Sequence, residues 1–578
     1  MTNGRQPFHW ELPVHPEAEI AALAGALRLT LPAARVLWTR EIRTPAAAER
    51  FLRPTLEELH DPFGLADMGR AAARLARAVR TQEKILLYGD YDVDGTSSVV
   101  ILMSALRLAG GAVGFHVPHR MREGYGMRTE VVGQAKADGV GLIVSVDTGI
   151  RAGAVVAHAN ELGIDVIVTD HHLPEGELPP AVAVLNPNRA DCAYPSKNLC
   201  GAAVALKLAQ ALFVELGWET ARRERLLASF LKLAAIATVA DVVPLTGENR
   251  AIVKHGLEGL RDPRNLGLKA LFAVAGLEEG VMPSARQVAF QIAPRLNAAG
   301  RMDDARNVIE LFLTTDAVRA HELAAALDAM NKDRQETQAE IVRTCEAVPV
   351  GEQEAGLVFA APDWHAGVVG IVAGRLVERY ARPVFVLSED PETGEAKGSG
   401  RSPANFHLLE ALESMPDLFL KFGGHRQAAG LTMKTNRIAE FRQRFAAYAA
   451  AVLSQEDLVP VLPIDARATL DELDDPGASD LLSLAPFGAS NQPPLLALHG
   501  VDLVLTPEVK NGKHLFLKVR QDGVTKQIKG WNLAEAGAGL RAGDRVDVAV
   551  LVEEDTWSRA RGGAGWGLVL KDLRHSGS

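Results

Sequence analysis

The chain has 578 residues, 47% of them hydrophobic and 23% charged, with a formal net charge of −10 and three cysteines. That length predicts roughly three or four domains, and the composition is that of a folded globular protein, not a disordered one. It excludes a globally basic nucleic-acid binder, so any such binding has to come from local patches. Cys192, Cys200 and Cys345 have no paired or zinc-binding spacing, and fit a reducing cytoplasm better than a disulfide framework.

Residues 1–75 read as an N-terminal arm, mostly helical, packed on the domain that follows; its middle is irregular, at Phe51-Leu52-Arg53-Pro54 and Leu59-His60-Asp61-Pro62-Phe63. The opening MTNGRQPFHW has no basic stretch followed by an apolar core, so it does not read as a signal peptide. The richest apolar helix, Ala202 to Leu216, is interrupted by Lys207 and is too short for a span, so no membrane is expected.

Residues 76–315 alternate strand and helix. Ile85–Tyr88, Leu142–Val146, Val166–Val168 and Val182–Leu185 read as strands, with helices over Thr96–Leu108, 129–138 and 151–162. Short apolar runs separated by such helices predict a parallel α/β sheet, in which ligands gather at the carboxyl ends of the strands. The acids fall there: Asp90, Asp92 and Asp94 in GDYDVDG, then Asp147, then Asp170-His171-His172. An extended backbone points residues i, i+2 and i+4 the same way, and the repulsion of converged carboxylates is relieved by a hard cation. A calcium loop of the EF-hand kind is excluded, because its bidentate glutamate would stand at Ile101 and a strand precedes the loop. Imidazole beside carboxylate suits Mn²⁺, Zn²⁺ or iron more than Ca²⁺. Adjacent histidines face opposite ways, one toward metal and the other toward substrate. Asp241, an acid inside the apolar stretch Thr238–Pro244, needs a buried partner, and a metal is one.

Residues 316–349 read as a connecting helix, about 48 Å long at the standard rise over 316–347, because 316–347 holds no glycine or proline. Residues 350–455 read as a smaller α/β lobe, with strands at Leu357–Ala360 and Val384–Leu387 and a helix at 367–379. In 456–578 the short runs Val501–Leu505, Leu515–Val519, Val546–Leu551 and Gly567–Leu570, with turns at Asn511-Gly512 and Asp522-Gly523, read as a small β-barrel. There Lys510, Lys513, Lys518, Arg520, Lys526 and Lys529 surround Phe516 and Trp531, a mixture that fits single-strand binding by backbone attraction and base stacking.

Asp92, Asp94, Asp147, Asp170-His171-His172 and Asp241 resemble, in order and spacing, the four motifs of the DHH phosphoesterases. Nearly the whole chain resembles the RecJ group within them, through LHDPFGLADM (59–68), GDYDVDGTSS (89–98), REGYGM (122–127), PRLNAAGR (294–301), WHAGVVGIVAGRL (364–376), GSGRS (398–402), FGGHRQAAG (422–430) and APFGASNQPP (485–494). The resemblance implies a DHH lobe and a DHHA1-like lobe joined by the long helix and facing each other across a cleft, followed by an OB-fold barrel. It implies a 5′→3′ exonuclease specific for single-stranded DNA, releasing mononucleotides in recombination and repair. It also implies two Mn²⁺ or Mg²⁺ ions held by Asp92, Asp94, Asp147, His171 and Asp241, with Asp147 bridging, His172 on the scissile phosphate, and Asp90 either orienting or ligating. Ser399, Arg401 and His425, with Arg301 and Arg120, are the implied contacts to the DNA backbone and a 5′-phosphate, and Lys518, Arg520 and Trp531 those of the barrel. A single-strand-binding protein and a helicase are the implied partners of a cytoplasmic monomer. Two departures stand out. Tyr88 replaces a ligand histidine of the DHH pyrophosphatases, which weakens a pyrophosphatase reading, and Ser490 and Gln492 replace a usual glycine and proline. The rivals are a DHH enzyme for small substrates and an inactive DHH-derived scaffold.

Overall fold

The computed structural model describes residues 8–120, 122–351, 354–559 and 561–577. The first seven residues of the segment read as lacking a signal peptide lie outside them. The chain divides into two compact units, one made of 42–331 with 483–493, the other of 1–41, 332–482 and 494–578. No single helix among the described residues is long and apolar enough to cross a membrane.

The first unit is built on a five-stranded parallel sheet in the order Val113–His116, Lys84–Tyr88, Val140–Val146, Asp165–Thr169 and Ala183–Leu185. Such sheets are covered on both faces, which is why their strands read as continuous apolar runs. The register pairs Tyr88 with Ser145, Val146 with Thr169, and Thr169 with Leu185. The three acid-bearing segments therefore leave the sheet side by side at its carboxyl edge. Helices Val93–Leu108 and Gly201–Glu215 are buried along almost their whole length, as expected of helices apolar all round. Lys207, which argued against a membrane span, is wholly buried and ion-paired to Glu248 at 2.5 Å.

Among the described residues, the second unit holds two large sheets and one two-stranded sheet. One large sheet has the order Phe419–Gly424, Ala428–Lys434, Glu395–Arg401, Val384–Asp390 and Leu357–Pro362, with only the last pair parallel. GSGRS and FGGHRQAAG lie mainly in three neighbouring strands of this sheet. A Cβ on Gly398 would meet Leu387 Cγ at 2.9 Å, so that glycine serves packing across the sheet. The other sheet closes on itself in the order Leu495–Leu503, Arg545–Glu554, Trp566–His575, Val524–Gly530, His514–Gln521 and back to the first strand, with Val524–Gly530 and Trp566–His575 parallel. This is the barrel expected for 456–578. The helix expected over 316–349 runs unbroken from Ala317 to Glu346.

The N-terminal arm departs from expectation. Strand His9–Glu11 pairs in parallel with Val461–Pro463, and Trp10 is buried against Ile464, Leu495, Ala497, Ala549 and Leu551 while its Nε1 donates to Asp572 at 2.7 Å. Residues 8–41 thus group with the barrel's unit and not with the domain that follows them in sequence. The helix Met68–Arg80 crosses the expected boundary at 75 and belongs to the first unit. In the returning segment 483–493, Ser490 adopts φ 57°, a left-handed conformation that the usual glycine takes without steric cost.

Candidate metal centre

The turn after Lys84–Tyr88 brings its acids into helix Val93–Leu108. Asp92 caps that helix, its Oδ1 accepting from Gly95 N at 3.0 Å. Asp94, one residue into the first turn, is buried and accepts from two N–H groups that open another helix, Gly201 N at 2.6 Å and Ala202 N at 2.7 Å. Helix N-termini favour anions, and these two N–H groups hold the Asp94 side chain in place. Asp147 adopts φ 59°, outside the common regions for a residue with a side chain. Gly201 is required opposite it, since a Cβ there would lie 2.7 Å from Asp147 Oδ1. Asp241 ends helix Thr220–Ala240, and the next residue, Val242, has φ 59°, a strained geometry for a β-branched side chain.

These groups converge. His171 Nε2 lies 3.2 Å from Asp147 Oδ1, 3.6 Å from Asp94 Oδ2 and 3.7 Å from Asp241 Oδ2. Among the described residues, three sets of side chains each offer ligand atoms within 4.8 Å of one another: Asp90, Asp92 and Asp147; Asp94, His171 and Asp241; and Asp147, His171 and His172. Asp147 and His171 are each shared by two sets.

Burial and mutual repulsion raise the carboxyls above their ordinary range: Asp90 by burial and then Asp92, Asp92 by burial and then Asp94, Asp147 by burial and then Asp94. Asp241 is pushed up to about 9 by burial and by Asp94 and Asp92. Burial lowers His171, leaving a neutral imidazole of the kind that ligates metal. Asp90 Oδ1 and Asp147 Oδ1 are buried with no hydrogen-bond partner among the described residues. Orphaned carboxylate oxygens beside like charges are what a cation satisfies, so the residues fit a divalent-metal site. Asp90 stands within one of these sets and not behind them, which favours ligation over orientation.

The two histidines do not face opposite ways as expected, since their ring centroids lie 4.5 Å apart; they differ in their partners. Burial pulls His172 down, but its Nδ1, 2.7 Å from Asp170 Oδ1, makes an ion pair that raises it overall. Asp170 is itself wholly buried and accepts from Ile150 N at 2.9 Å, His171 N at 2.8 Å and His172 N at 3.1 Å. It ties down the His171-His172 backbone and the His172 ring, a placement that the residue types alone did not reveal. Asp170→Asn is expected to lower kcat about 10- to 100-fold while Mn²⁺ affinity changes little; steady-state turnover with parallel calorimetric Mn²⁺ titration checks it.

Tyr88 donates its hydroxyl to Gly126 O at 3.2 Å, so it is turned into the fold. Tyr125, which the sequence reading did not single out, sits with its hydroxyl 3.4 Å from His172 Nδ1; the only signal for it was its place in REGYGM. Arg120 lies over the Tyr91 ring at 4.9 Å, and its charge opposes the rise at Asp90, which places it beside the acids. Arg301 ends the helix Ala293–Met302, which docks on the same turn: Asn297 Oδ1 accepts from Val93 N at 3.2 Å, and Gly300 leaves no room for a Cβ against Tyr91 O.

Comparisons with known proteins bear on this arrangement. The model of the DHH family, N-terminal domain, matches residues 84–238, the DHHA1 domain matches 353–451, and the RecJ OB domain matches 464–562. The single-stranded-DNA-specific exonuclease RecJ of Bacillus subtilis is 37% identical over 96% of this chain and 70% of its own length. That of Dickeya dadantii is 42% identical over 78% of this chain and 81% of its own length. The chain belongs to the RecJ family. The crystal structure of RecJ from Thermus thermophilus in complex with Mn²⁺ superposes with a TM-score of 0.83 at 32% identity, covering 100% of this chain and 81% of that one.

The remaining candidate residues of this RecJ family member lie in the other unit. Ser399 and Arg401 are in strand Glu395–Arg401, where the Arg401 guanidinium donates to Ser399 Oγ at 3.2 Å and to Gly400 O at 2.8 Å. Both pack against Gly370, where an added Cβ would lie 2.9 Å from Ser399 Oγ. His425 is exposed at the hairpin tip between the two following strands, its N–H donating to Ala428 O at 2.8 Å. In the barrel, Lys518 and Arg520 point outward between the buried Leu517 and Val519, and Trp531 is 51% exposed with its ring 6.4 Å from Phe516. Two of the basic residues are ion-paired, Lys529 to Asp555 at 2.6 Å and Lys510 to Glu508 at 3.4 Å.

Proposed function

We propose that this chain is a single-strand-specific 5′→3′ DNA exonuclease that hydrolyses phosphodiester bonds with two divalent cations, Mn²⁺ or Mg²⁺, and releases mononucleotides during recombination and repair. The observation that carries the reading is the set of three ligand groups sharing Asp147 and His171 at the edge of a parallel sheet, with two orphaned carboxylate oxygens among them. Asp92, Asp94, Asp147, His171 and Asp241, with Asp90 beside them, would hold the cations. Bound there, such ions supply an activated water and stabilise the charge on the attacking and leaving oxygens.

The chain's own side chains do the positioning. His172, whose pKa is raised by Asp170, presents a ring N–H to a scissile phosphate. Arg120 and Arg301, held near the same turn by Tyr91 and by the Ala293–Met302 helix, supply further positive charge. Phosphoryl transfer needs little else from a protein than placement and electrostatic stabilisation. Ser399, Arg401 and His425 are the proposed grip on a 5′-phosphate, since arginine binds such groups bidentately. The barrel carries the strand by Lys518, Arg520 and Trp531. The proposed working division of the chain is 76–315 for catalysis, 316–349 as connector, 350–455 as second lobe and 456–578 for DNA. A single-strand-binding protein and a helicase as partners, and a cytoplasmic monomer, belong to the same proposal on family membership alone.

The test is a long single strand labelled at either end and digested with and without Mn²⁺. Metal-dependent mononucleotide release that proceeds from the 5′ end supports the proposal; cleavage confined to di- or trinucleotides favours a small-substrate enzyme, and binding without cleavage favours a scaffold. Replacing Lys518 and Arg520 together by alanine is expected to raise KM for long strands and to cut the salt dependence of binding by about 1.4 in log–log slope, at about 0.7 per phosphate contact on single strands. Trp531→Ala is expected to cost about 1–3 kcal/mol of strand binding with turnover of short strands intact. Fluorescence anisotropy across a salt series reads both.

A further inference from the structure

Helix Gly247–Leu260 opens with Glu248, Asn249 and Arg250, each only 1% exposed. Three consecutive buried polar side chains are uncommon and must find partners. Two of them tie down segments distant in sequence. Glu248 pairs with Lys207 and accepts from Tyr194 Oη at 2.9 Å and His60 N at 3.0 Å, while Arg250 donates to Phe51 O at 2.5 Å and Ala485 O at 2.8 Å.

Asn249 does something different. Its Nδ2 donates to Asn198 O at 2.5 Å and to Pro244 O at 3.1 Å, and its Oδ1 is buried without a hydrogen-bond partner among the described residues. Asn198 lies three residues before Gly201, whose N–H, with that of Ala202, holds the Asp94 carboxylate. Pro244 lies three residues after Asp241, beyond the strained Val242. One amide therefore joins the backbone that fixes Asp94 to the backbone that delivers Asp241. These are the two acids grouped with His171.

We propose that Asn249 is a positioning residue that sets the spacing of Asp94 and Asp241, and so the affinity of the site they form with His171 for a divalent cation. The inference rests on the reading of Asp94 and Asp241 as metal ligands. Without the amide, the left-handed turn at Val242 is free to relax, and Asp241 moves away from a neighbour that repels it.

The experiment is calorimetric titration of Mn²⁺ into the metal-free full-length chain, for wild type, Asn249→Ala, Asn249→Ser and Asp241→Asn, with nuclease turnover followed across the same Mn²⁺ range. Asn249→Ala is expected to weaken one Mn²⁺ at least about tenfold, the scale of losses for groups behind a ligand, and to recover turnover to within threefold of wild type at saturating Mn²⁺. A merely structural role would lower the melting temperature without moving the Mn²⁺ midpoint. If Asn249→Ala does not fold, Asn249→Ser, which keeps a donor in the same space, is held to the same comparison with a smaller shift expected. Mn²⁺ affinities within twofold of wild type in the folded variant, with Asp241→Asn weakened, overturn the role of Asn249. Unchanged affinity in Asp241→Asn as well overturns the metal site beneath it.

Discussion

Asp147→Asn is expected to reduce kcat at least about a thousandfold, equivalent to about 4 kcal/mol of transition-state stabilisation, and to raise rather than lower the melting temperature of the metal-free protein. The two halves of that expectation have one cause. Asp147 is a member of two of the three ligand sets, its Oδ1 has no hydrogen-bond partner among the described residues, and burial with four neighbouring carboxylates holds its proton on well above the ordinary range. Such a group is costly to the fold unless a cation pairs with it. The amide has nearly the same shape and no charge, so it removes repulsion and ligation together. Single-turnover assays at saturating Mn²⁺ and thermal melts in chelator measure the two effects separately. Activity within tenfold of wild type would remove Asp147 from the site, and a lowered melting temperature would mean that it serves the fold instead.

The second large effect is a stability that depends on pH in one direction without metal and in the other with it. Asp90, Asp92, Asp147 and Asp241 are all raised in the folded protein, Asp241 to about 9. Their unfolded values lie near about 4. Between those limits the folded chain keeps protons that the unfolded chain releases, so stability falls as pH rises. His172, raised by Asp170, adds to the same slope, since its stabilising pair is complete below its unfolded value and is lost as pH climbs through the folded one. Asp170, whose folded value is depressed, opposes that slope at the acid end, where its contribution disappears as pH falls. His171, lowered by burial, opposes it below its unfolded value of about 6.5 without cancelling the four acids. In chelator the melting temperature is therefore expected to decline from pH 5 to pH 9. Mn²⁺ requires deprotonated ligands, so its stabilisation grows over the same interval, reaching about 2.7 kcal/mol per site at a hundredfold excess over Kd. Scanning calorimetry at pH 5, 7 and 9 reads both slopes. A melting temperature independent of pH in chelator would show that the acids are solvated and not crowded.

The site was legible in the sequence because its geometry is local. A short apolar strand followed at once by acids puts those acids at a carboxyl edge, and a parallel sheet brings the edges together. The placement of Asp90 to Asp94, Asp147 and His171 was therefore local, while their assignment as ligands came from the resemblance to the DHH phosphoesterases. Asp241 was legible only as an acid without an apolar excuse. What was hidden depends on contacts distant along the chain or on backbone partners. Trp10 finds its place in a core whose other members begin at Ile464, and no periodicity in residues 1–75 reveals that. Asn249 and Asn297 act through main-chain atoms, which every residue possesses, so their types carry no signal. Asp170 was visible as part of a motif, but its role follows from the four hydrogen bonds it accepts. GSGRS carried no strand signal, yet it stands in a strand, where Gly398 and Gly400 lie against Leu387 and Phe385. Strand Val524–Gly530 escaped notice because its polar residues outnumber its apolar ones. Strand Val113–His116 escaped because it is short and lies at the sheet's edge.

The central claim is that the acids and His171 at the sheet's edge form a centre for two cations. Equilibrium dialysis of the metal-free full-length chain against Mn²⁺, with bound metal counted per chain, tests it most directly. The account predicts two Mn²⁺ per chain for wild type and fewer than two for Asp147→Asn. No tightly bound Mn²⁺ in the wild type, or two held equally well by Asp147→Asn, would contradict it.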